Sequence, residues 1–159
     1  MLGAPALLAG LALAAAPAPC AHHQLHASLG RGNGAAGHVF WPIVFTNVSA
    51  SACTLRGYPG VSAVAGDDGH RVGAPARRES RIVTTVTLRA NGGRASALLA
   101  HTDADVPAAS LCHKATVRGF RVFAPGQTLA FFLPKRHTTC RLPRFGDTIR
   151  PVVRGRTGQ

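Results

Sequence analysis

One stretch decides the fold of this 159-residue chain: Cys53-Thr54-Leu55-Arg56-Gly57-Tyr58-Pro59-Gly60-Val61. It begins as a candidate β-strand that carries a cysteine, and it leads into a second predicted strand over residues 61–65. The four residues Tyr58–Val61 suit a type II turn, because proline presets its own φ and glycine tolerates a positive φ. The stretch therefore predicts two strands joined through a tight turn.

A strongly apolar strand is predicted just upstream, within Gly37–Asn47. Large apolar residues recur at every second position from Val39 to Phe45, so one face of this strand is suited to a core. Pro42 interrupts the pattern, because proline cannot donate a backbone hydrogen bond. We therefore place Pro42 at a bulge or on an unpaired side of the strand.

Similar short segments recur along the rest of the chain, with turn residues between them. The further predicted strands are Gln24–Leu29, Val61–Ala65, His70–Gly73, Ile82–Leu88, Ala95–His101, Thr116–Phe123, Gln127–Leu133 and Ile149–Val153. Strands at intervals of about 8–12 residues, without a long amphipathic helix, are typical of an all-β sandwich or barrel. Because no repeat or linker interrupts them, we expect a single domain.

The N-terminal residues have the composition of a secretory leader. Residues 6–16 form an apolar run of leucine and alanine that is too short to span a membrane. We assign residues 1–18 to a cleavable signal peptide, residues 20–153 to one β-sandwich domain, and residues 154–159 to a frayed C-terminal tail. No lysine or arginine precedes the apolar run, so a buried N-terminal helix remains the alternative. Lipid attachment at Cys20 is a further alternative, which Pro19 disfavours.

The chain resembles the secreted actinomycete family known as domain of unknown function 4232. Cys53–Val61 carries the most specific part of the resemblance, Gly119–Gln127 adds a weaker part, and the likeness extends from about Cys20 to Val153. The resemblance implies an immunoglobulin-like β-sandwich of antiparallel strands. It implies no activity, because the function of that family is uncharacterised.

Four cysteines indicate two disulfides: Cys20, Cys53, Cys112 and Cys140. An even count behind a leader is typical of an oxidising compartment, and the lack of a Cys-x-x-Cys pair disfavours a zinc ribbon. Three pairings are possible, and chain order favours Cys20 with Cys53 and Cys112 with Cys140. The same four positions recur in the resembled family, which supports that pairing.

The formal net charge is +12, from 18 basic and 6 acidic residues. The arginines are scattered, with no run longer than Arg77-Arg78, and no nucleic-acid-binding motif occurs, so we expect no nucleic-acid partner. The charge predicts salt-sensitive adhesion to anionic cell-envelope components. Solvated surface charge without a partner is the alternative interpretation.

Candidate metal sites are few. His22-His23-x-x-His26 has the only spacing that suggests a metal, but on a strand His22 and His26 would lie about 13 Å apart. Asp103 and Asp105 share a loop that is a weak candidate for Ca²⁺, because no further acidic ligands are near in the sequence. We therefore expect no metal and no cofactor.

No serine, histidine or aspartate occurs in a local context that marks a catalytic nucleophile, so we expect no catalytic residues. The leading hypothesis is a monomeric, non-enzymatic binding or structural module that is secreted or held at the cell envelope and does not cross the membrane. Tyr58, Pro59 and Gly60 form a candidate binding loop near Trp41, with a structural turn and a core tryptophan as the alternative. Other hypotheses are a small secreted hydrolase with an unrecognised site and an electrostatic binder of anionic cell-wall polymer.

Overall fold

The computed structural model describes residues 14–159, which form a nearly all-β fold. The strands are β1 Leu25–Leu29, β2 Asn33–Ala35, β3 His38–Asn47, β4 Cys53–Arg56, β5 Gly60–Ala65, β6 His70–Arg71, β7 Arg77–Arg78, β8 Thr85–Leu88, β9 Arg94–Thr102, β10 Lys114–Phe123, β11 Ala130–Cys140, β12 Thr148–Ile149 and β13 Val153–Arg154. The helical segments are α1 Ala109–Cys112 and two 3-10 turns, His22–Gln24 and Pro143–Phe145. None of these helical segments of the described chain is long enough to cross a lipid bilayer. Most of the predicted signal peptide, residues 1–13, lies outside the described residues.

The described strands form three sheets. The largest has the order β1-β3-β9-β12-β7, with β2 pairing beside β3 and β13 pairing beside β9. The second has the order β11-β10-β5-β6, and β4 pairs with β8 in a third. The sheet pairings are antiparallel except for that of β12 with β7. The prediction of an all-β fold of antiparallel strands is confirmed.

The core is shared by all three sheets. Alternation along β3 directs Trp41, Ile43 and Phe45 to one face, and all three are buried. They belong to one cluster with Phe120 of β10 and Leu55 of β4. Because burial of a large apolar side chain stabilises by about 1.5–3 kcal/mol, this stripe is a major part of the folding free energy. The predicted period-two pattern of β3 is confirmed.

Two disulfides cross-link the fold, as the sequence indicates. Cys20 is bonded to Cys53, and Cys112 is bonded to Cys140, which is the pairing that chain order favours. The first disulfide is part of the main core, whereas the second belongs to a smaller cluster of buried residues. The two bonds therefore stabilise different parts of the molecule.

The predicted strand Ile82–Leu88 is wrong in its first half. Strand β8 begins only at Thr85, because its partner β4 ends at Arg56, which lies opposite Thr85. Ile82 has no strand to pair with and is 88% exposed. The length of a strand thus depends on its partner as well as on its own β-branched residues.

Two predicted strands near the C-terminus also have different bounds. The strand predicted over Gln127–Leu133 is β11, which continues to Cys140 because β10 supplies pairing partners as far as Lys114. The strand predicted over Ile149–Val153 is divided into β12 and β13. Pro151 lies between the two halves and has no N–H to donate to a ladder.

The predicted type II turn at Tyr58–Val61 is wrong. That turn needs a positive φ at Gly60, but Gly60 is the first residue of β5 and pairs with Phe123 of β10. The positive φ, +105°, occurs at Gly57 instead. The chain therefore turns before the tyrosine, because the extended pairing of Gly60 with Phe123 excludes a left-handed conformation there.

Candidate functional site: two arginine-lined grooves

A groove of about 480 Å³ lies beside the turn that joins β8 to β9. We call it the first groove, and four arginines line it: Arg89, Arg94, Arg154 and Arg156. Arg89 precedes the turn and Arg94 follows it. Arg154 lies in β13, and Arg156 lies just after it. The pairing of β13 with β9 brings these two segments together, since Gly155 donates its N–H to the carbonyl of Arg94 at 3.1 Å.

The turn between β8 and β9 holds Arg89 and Arg94 at the two ends of a tight bend. The N–H of Gly93 donates to the carbonyl of Arg89 at 3.1 Å. A Cβ on Gly93 would lie 2.4 Å from the backbone nitrogen of Arg89, so only glycine allows this approach. Gly92 adopts a φ of +117°, which also favours glycine.

Asn47, at the end of β3, fixes the same turn from inside the protein. It is fully buried, and its side-chain amide donates to the carbonyls of Leu88 and Arg89. Its backbone accepts from Gly92 and donates to Gly93, at 2.7 and 2.8 Å. The backbone beneath the first groove is therefore tied to β3, an interior strand of the largest sheet.

A second groove, of about 610 Å³, lies on the outer face of the largest sheet. Its floor is the face of β3 that points away from the core, because Pro42, Val44 and Thr46 alternate with the core residues. Strand β1 adds His26 and Ser28. The remaining lining residues are Gly30, Arg31, Arg94, Arg156 and Thr157. Arg94 and Arg156 line both grooves, so the two concavities are adjacent.

The C-terminal segment forms one side of the second groove. Residues 154–159 were predicted as a frayed tail, but Arg154 lies in β13 and Gly158 is buried. The N–H of Gly158 donates to Ser96 Oγ of β9 at 2.8 Å. A Cβ on Gly158 would lie 2.6 Å from the nitrogen of Leu98, so glycine permits the chain to lie directly on the sheet. The segment is held because it covers the outer face of β9, which a prediction from local composition does not reveal.

The grooves are electropositive. Among the described residues, no aspartate or glutamate lines either one. The ion pairs of the described acidic residues lie elsewhere and are Asp68 with His70, Glu79 with Arg81 and Arg150, Asp105 with Lys114, and Asp147 with His101. The groove arginines thus face solvent without a counter-charge of the described chain, and their fields add within a shared concavity.

The candidate binding loop Tyr58-Pro59-Gly60 lies away from both grooves, and its tyrosine makes internal contacts. The Tyr58 hydroxyl donates to the carbonyl of Glu79 and accepts from the N–H of Arg81, at 2.5 and 3.3 Å. Pro59 is buried, and Gly60 is exposed. Tyr58 therefore joins the start of β5 to the segment before β8.

The histidines and aspartates that were weak candidates for metal binding include side chains that contact other residues of the protein. The His22 ring stacks on Phe131 with centroids 4.2 Å apart. Asp103 accepts from the N–H of Asp105, which pairs with Lys114. Within residues 14–159, no group of three potential ligands is close enough to hold a metal ion.

A buried polar cluster, which the sequence analysis did not identify, surrounds Trp41. The tryptophan is buried, and its ring stacks on His101 at 5.4 Å. The Nδ1 of His101 lies 2.7 Å from Asp147 Oδ1, and its Nε2 lies 3.1 Å from the carbonyl oxygen of Thr138. A carboxylate and a carbonyl both accept hydrogen bonds, so these two contacts favour the doubly protonated form of the ring.

The pKa values of the two histidines in this cluster move in opposite directions. Burial lowers the pKa of His101, but the hydrogen bond and charge of Asp147 outweigh that effect and the net pKa is raised. Burial lowers the pKa of His137, and although its hydrogen bond to the Lys135 carbonyl opposes this, the net pKa falls. Since their rings are 4.7 Å apart, one charged and one neutral ring is the favourable arrangement.

Neither the grooves nor the buried cluster is evident from the sequence, because their members are distant in the chain. The arginines of the first groove are the easiest to find in retrospect. Arg89 and Arg94 flank the turn-forming residues Asn91-Gly92-Gly93, and Arg154 and Arg156 flank Gly155. That pattern indicates exposed arginines at turns, but it does not indicate that the two turns meet.

A family model described as "Domain of unknown function (DUF4232)" matches residues 20–150. No curated protein matches the chain. No solved structure matches it either.

Proposed function

The chain belongs to the DUF4232 family, and from this premise we propose that it is a secreted, non-enzymatic binding module of the cell envelope that holds an anionic ligand. The proposal includes an immunoglobulin-like sandwich as its scaffold. The ligand lies in the arginine-lined grooves, and the protein binds it without changing it chemically.

The observation that carries the proposal is the convergence of Arg89, Arg94, Arg154 and Arg156 on one groove without a described carboxylate. Guanidinium groups are always charged and present a rigid fork of donors, which matches carboxylate and phosphate oxygens. Several such groups on one concave surface repel one another unless an anion lies between them. An anionic ligand therefore relieves a cost that the folded protein otherwise carries.

Two disulfides and the apolar leader support secretion. Disulfides persist in oxidising compartments and are rare in the cytosol of mesophiles. The antiparallel sheets that share one core support the immunoglobulin-like scaffold.

One observation favours a hydrolase as the second candidate. His101 and Asp147 have the contact that orients a general base in many hydrolases. However, Nε2 of His101 already lies within hydrogen-bond distance of the Thr138 carbonyl oxygen. His101 as a whole residue is only 3% exposed. A general base needs a free nitrogen that faces a nucleophile or water, so this contact supports a structural role.

The test compares two double variants of the exported, oxidised protein on phosphocellulose. R94E/R156E reverses the two arginines shared by the grooves, and R71E/R136E makes the same change in net charge on exposed strands outside them. We expect R94E/R156E to weaken binding by at least about 100-fold, since each of the two lost charge-assisted hydrogen bonds contributes about 1.5–3 kcal/mol. The control is expected to change binding much less, because it alters only the general field.

Elution of both double variants at the same salt concentration would show that the grooves are not the binding site. Retention of the wild type that is insensitive to salt would contradict the electrostatic basis of the proposal. Release of cleaved products from a bound anionic polymer would favour the hydrolase.

A further inference from the structure

We propose that the two grooves form one track for a linear polymer of phosphodiester units joined by small polyol linkers. This inference rests on the proposed function and specifies its ligand. It is carried by the adjacency of the grooves, by the spacing of their arginines and by the chemistry of the other lining residues.

The two grooves meet at Arg94 and Arg156, which line both of them. Arg89 and Arg154 line the first groove only, and Arg31 lines the second but not the first. Positive charge therefore occurs at three places along the track: in the first groove, at the junction and at the far end of the second groove.

The register of β3 gives the length of the second groove. Thr46 pairs with Arg94 at the junction, and the carbonyl of Pro42 accepts from Gly30, which precedes Arg31. Thr46 lies four residue steps along the strand from Pro42, which corresponds to roughly 13 Å at about 3.3 Å per residue. A single phosphate cannot contact both ends of this groove, whereas a chain of phosphates can.

The shape of the track favours a thin chain over a bilayer. Membrane-binding surfaces combine basic residues with apolar side chains that enter the headgroup region. The large exposed apolar residues of the described chain line neither groove, and they are Val48, Ile82, Val106, Leu111, Leu129 and Phe132. A flat lipid surface would also leave the concave floor over Val44 unfilled.

The lining chemistry separates a polyol phosphate from a nucleic acid or a polyuronate. Proteins that bind single-stranded nucleic acids stack bases on aromatic side chains. Sugar rings likewise present apolar faces that pack on aromatic rings. Of the described residues, no phenylalanine, tyrosine or tryptophan lines either groove. Instead Ser28, Thr46, Thr87 and Thr157 supply hydroxyl groups, which hydrogen-bond to linker hydroxyls and phosphate oxygens.

The C-terminal segment completes the track, so its conformation matters for binding. Arg156 and Thr157 line the second groove, and Gly158 holds them against β9 through its hydrogen bond to Ser96. The φ of Gly158 is +71°, and a Cβ there would meet the backbone of Ala97 and Leu98 within 3 Å. An alanine at this position displaces the segment without altering any charge.

Isothermal titration with poly(glycerol phosphate) tests the length of the track. The probes are chains longer than the second groove and the glycerol phosphate monomer, both at equal phosphate concentration. We expect the long chain to bind at least tenfold more tightly than the monomer. Arg31→Ala is expected to remove most of that advantage, and Arg136→Ala, which changes charge equally outside the grooves, is expected to preserve it.

Equal binding of chain and monomer, or equal effects of Arg31→Ala and Arg136→Ala, would overturn the track. Equal binding of polygalacturonate or of single-stranded DNA would overturn the assignment to phosphodiester polyol. Binding of phosphatidylcholine vesicles that contain phosphatidylglycerol as tightly as the long chain would also overturn that assignment. In each case the proposed anion binding stands if R94E/R156E still weakens retention on phosphocellulose more than its control does, so the two proposals fail separately.

Gly158→Ala provides a second test that leaves all charges in place. We expect it to weaken binding of the long chain severalfold while the thermal unfolding temperature falls only slightly. The control is Gly126→Ala, because Gly126 has a similar φ of +75° and open space where the Cβ would be. Undiminished polymer binding by Gly158→Ala would show that the C-terminal segment is not part of the track.

Discussion

Replacing Asp147 with alanine is expected to lower the free energy of unfolding by about 3–5 kcal/mol at neutral pH, the usual cost of removing one partner of a buried ion pair. The variant removes the carboxylate that lies 2.7 Å from His101 Nδ1, so the buried ring beside Trp41 loses its ion pair and its hydrogen-bond partner. Guanidinium denaturation measures the loss. Asp67→Ala, on the exposed hairpin turn, is the matched control and is expected to change stability by less than about 0.5 kcal/mol.

The pKa shifts of the two histidines predict how the free energy of unfolding of the wild type changes with pH. The pKa of His101 is raised above the ordinary histidine value of 6.5, so its contribution is complete below pH 6.5 and is lost as pH rises through the raised pKa. The pKa of His137 is lowered, so its contribution is complete above pH 6.5 and is lost as pH falls toward the lowered pKa. These two groups together predict a maximum of stability near pH 6.5 in the wild type.

Asp147→Ala should reverse the alkaline limb of this profile. Without the carboxylate, burial remains the main influence on His101 and lowers its pKa. The variant is then expected to gain stability as pH rises toward 6.5 and to lose none from His101 above it. A wild-type stability that stays constant between pH 5 and pH 8 would contradict the ionic assignment of this pair.

Removing the Cys20–Cys53 disulfide is expected to be the second large effect. The two disulfides span 33 and 28 residues, so the loop-closure account assigns each of them about 3.5 kcal/mol. The packing around the two disulfides differs, so we expect their contributions to the free energy of unfolding to differ as well. Cys20 and Cys53 are buried in the main core, whereas the other pair lies in a small separate cluster. C20A/C53A should therefore destabilise more than C112A/C140A.

Guanidinium denaturation of the two double variants, each with its remaining disulfide oxidised, measures this difference. The variants are matched, because each removes two sulfurs and opens a loop of similar length. Equal losses would mean that chain entropy alone sets the contribution of each bond. A greater loss in C112A/C140A would show that the smaller cluster is the weaker part of the fold. Titration of the native protein is expected to find no free thiol among the four cysteines.

Much of the secondary structure is predictable from the sequence, because strand signals are local. The alternation along β3, the hairpin at Asp67-Asp68-Gly69 and the turn at Asn91-Gly92-Gly93 all depend on residues within a few positions of each other. Errors occur where a distant partner decides the result. The φ of Gly60 is set by its pairing with Phe123, and β8 starts where β4 ends.

The candidate site was beyond prediction for the same reason. Arg31, Arg94 and Arg156 look like scattered surface charges in the chain. Only tertiary contacts bring them to one track: the pairing of β13 with β9, the hydrogen bond from Gly158 to Ser96, and that from Gly30 to Pro42. His101 and Asp147 likewise meet only because β9 and the approach to β12 are neighbours. No short-range pattern encodes such meetings.

By itself, the sequence determined the all-strand class, the likeness to DUF4232 and the favoured disulfide pairing, because cysteine order, period-two burial and turn residues act over short distances. Only the tertiary structure decided where the unpaired arginines gather, that the C-terminal residues cover the sheet, and that the pKa values of two neighbouring histidines shift in opposite directions. The physical reason is that electric fields, grooves and pKa shifts depend on distances through space, which a chain acquires only when its sheets have paired and packed.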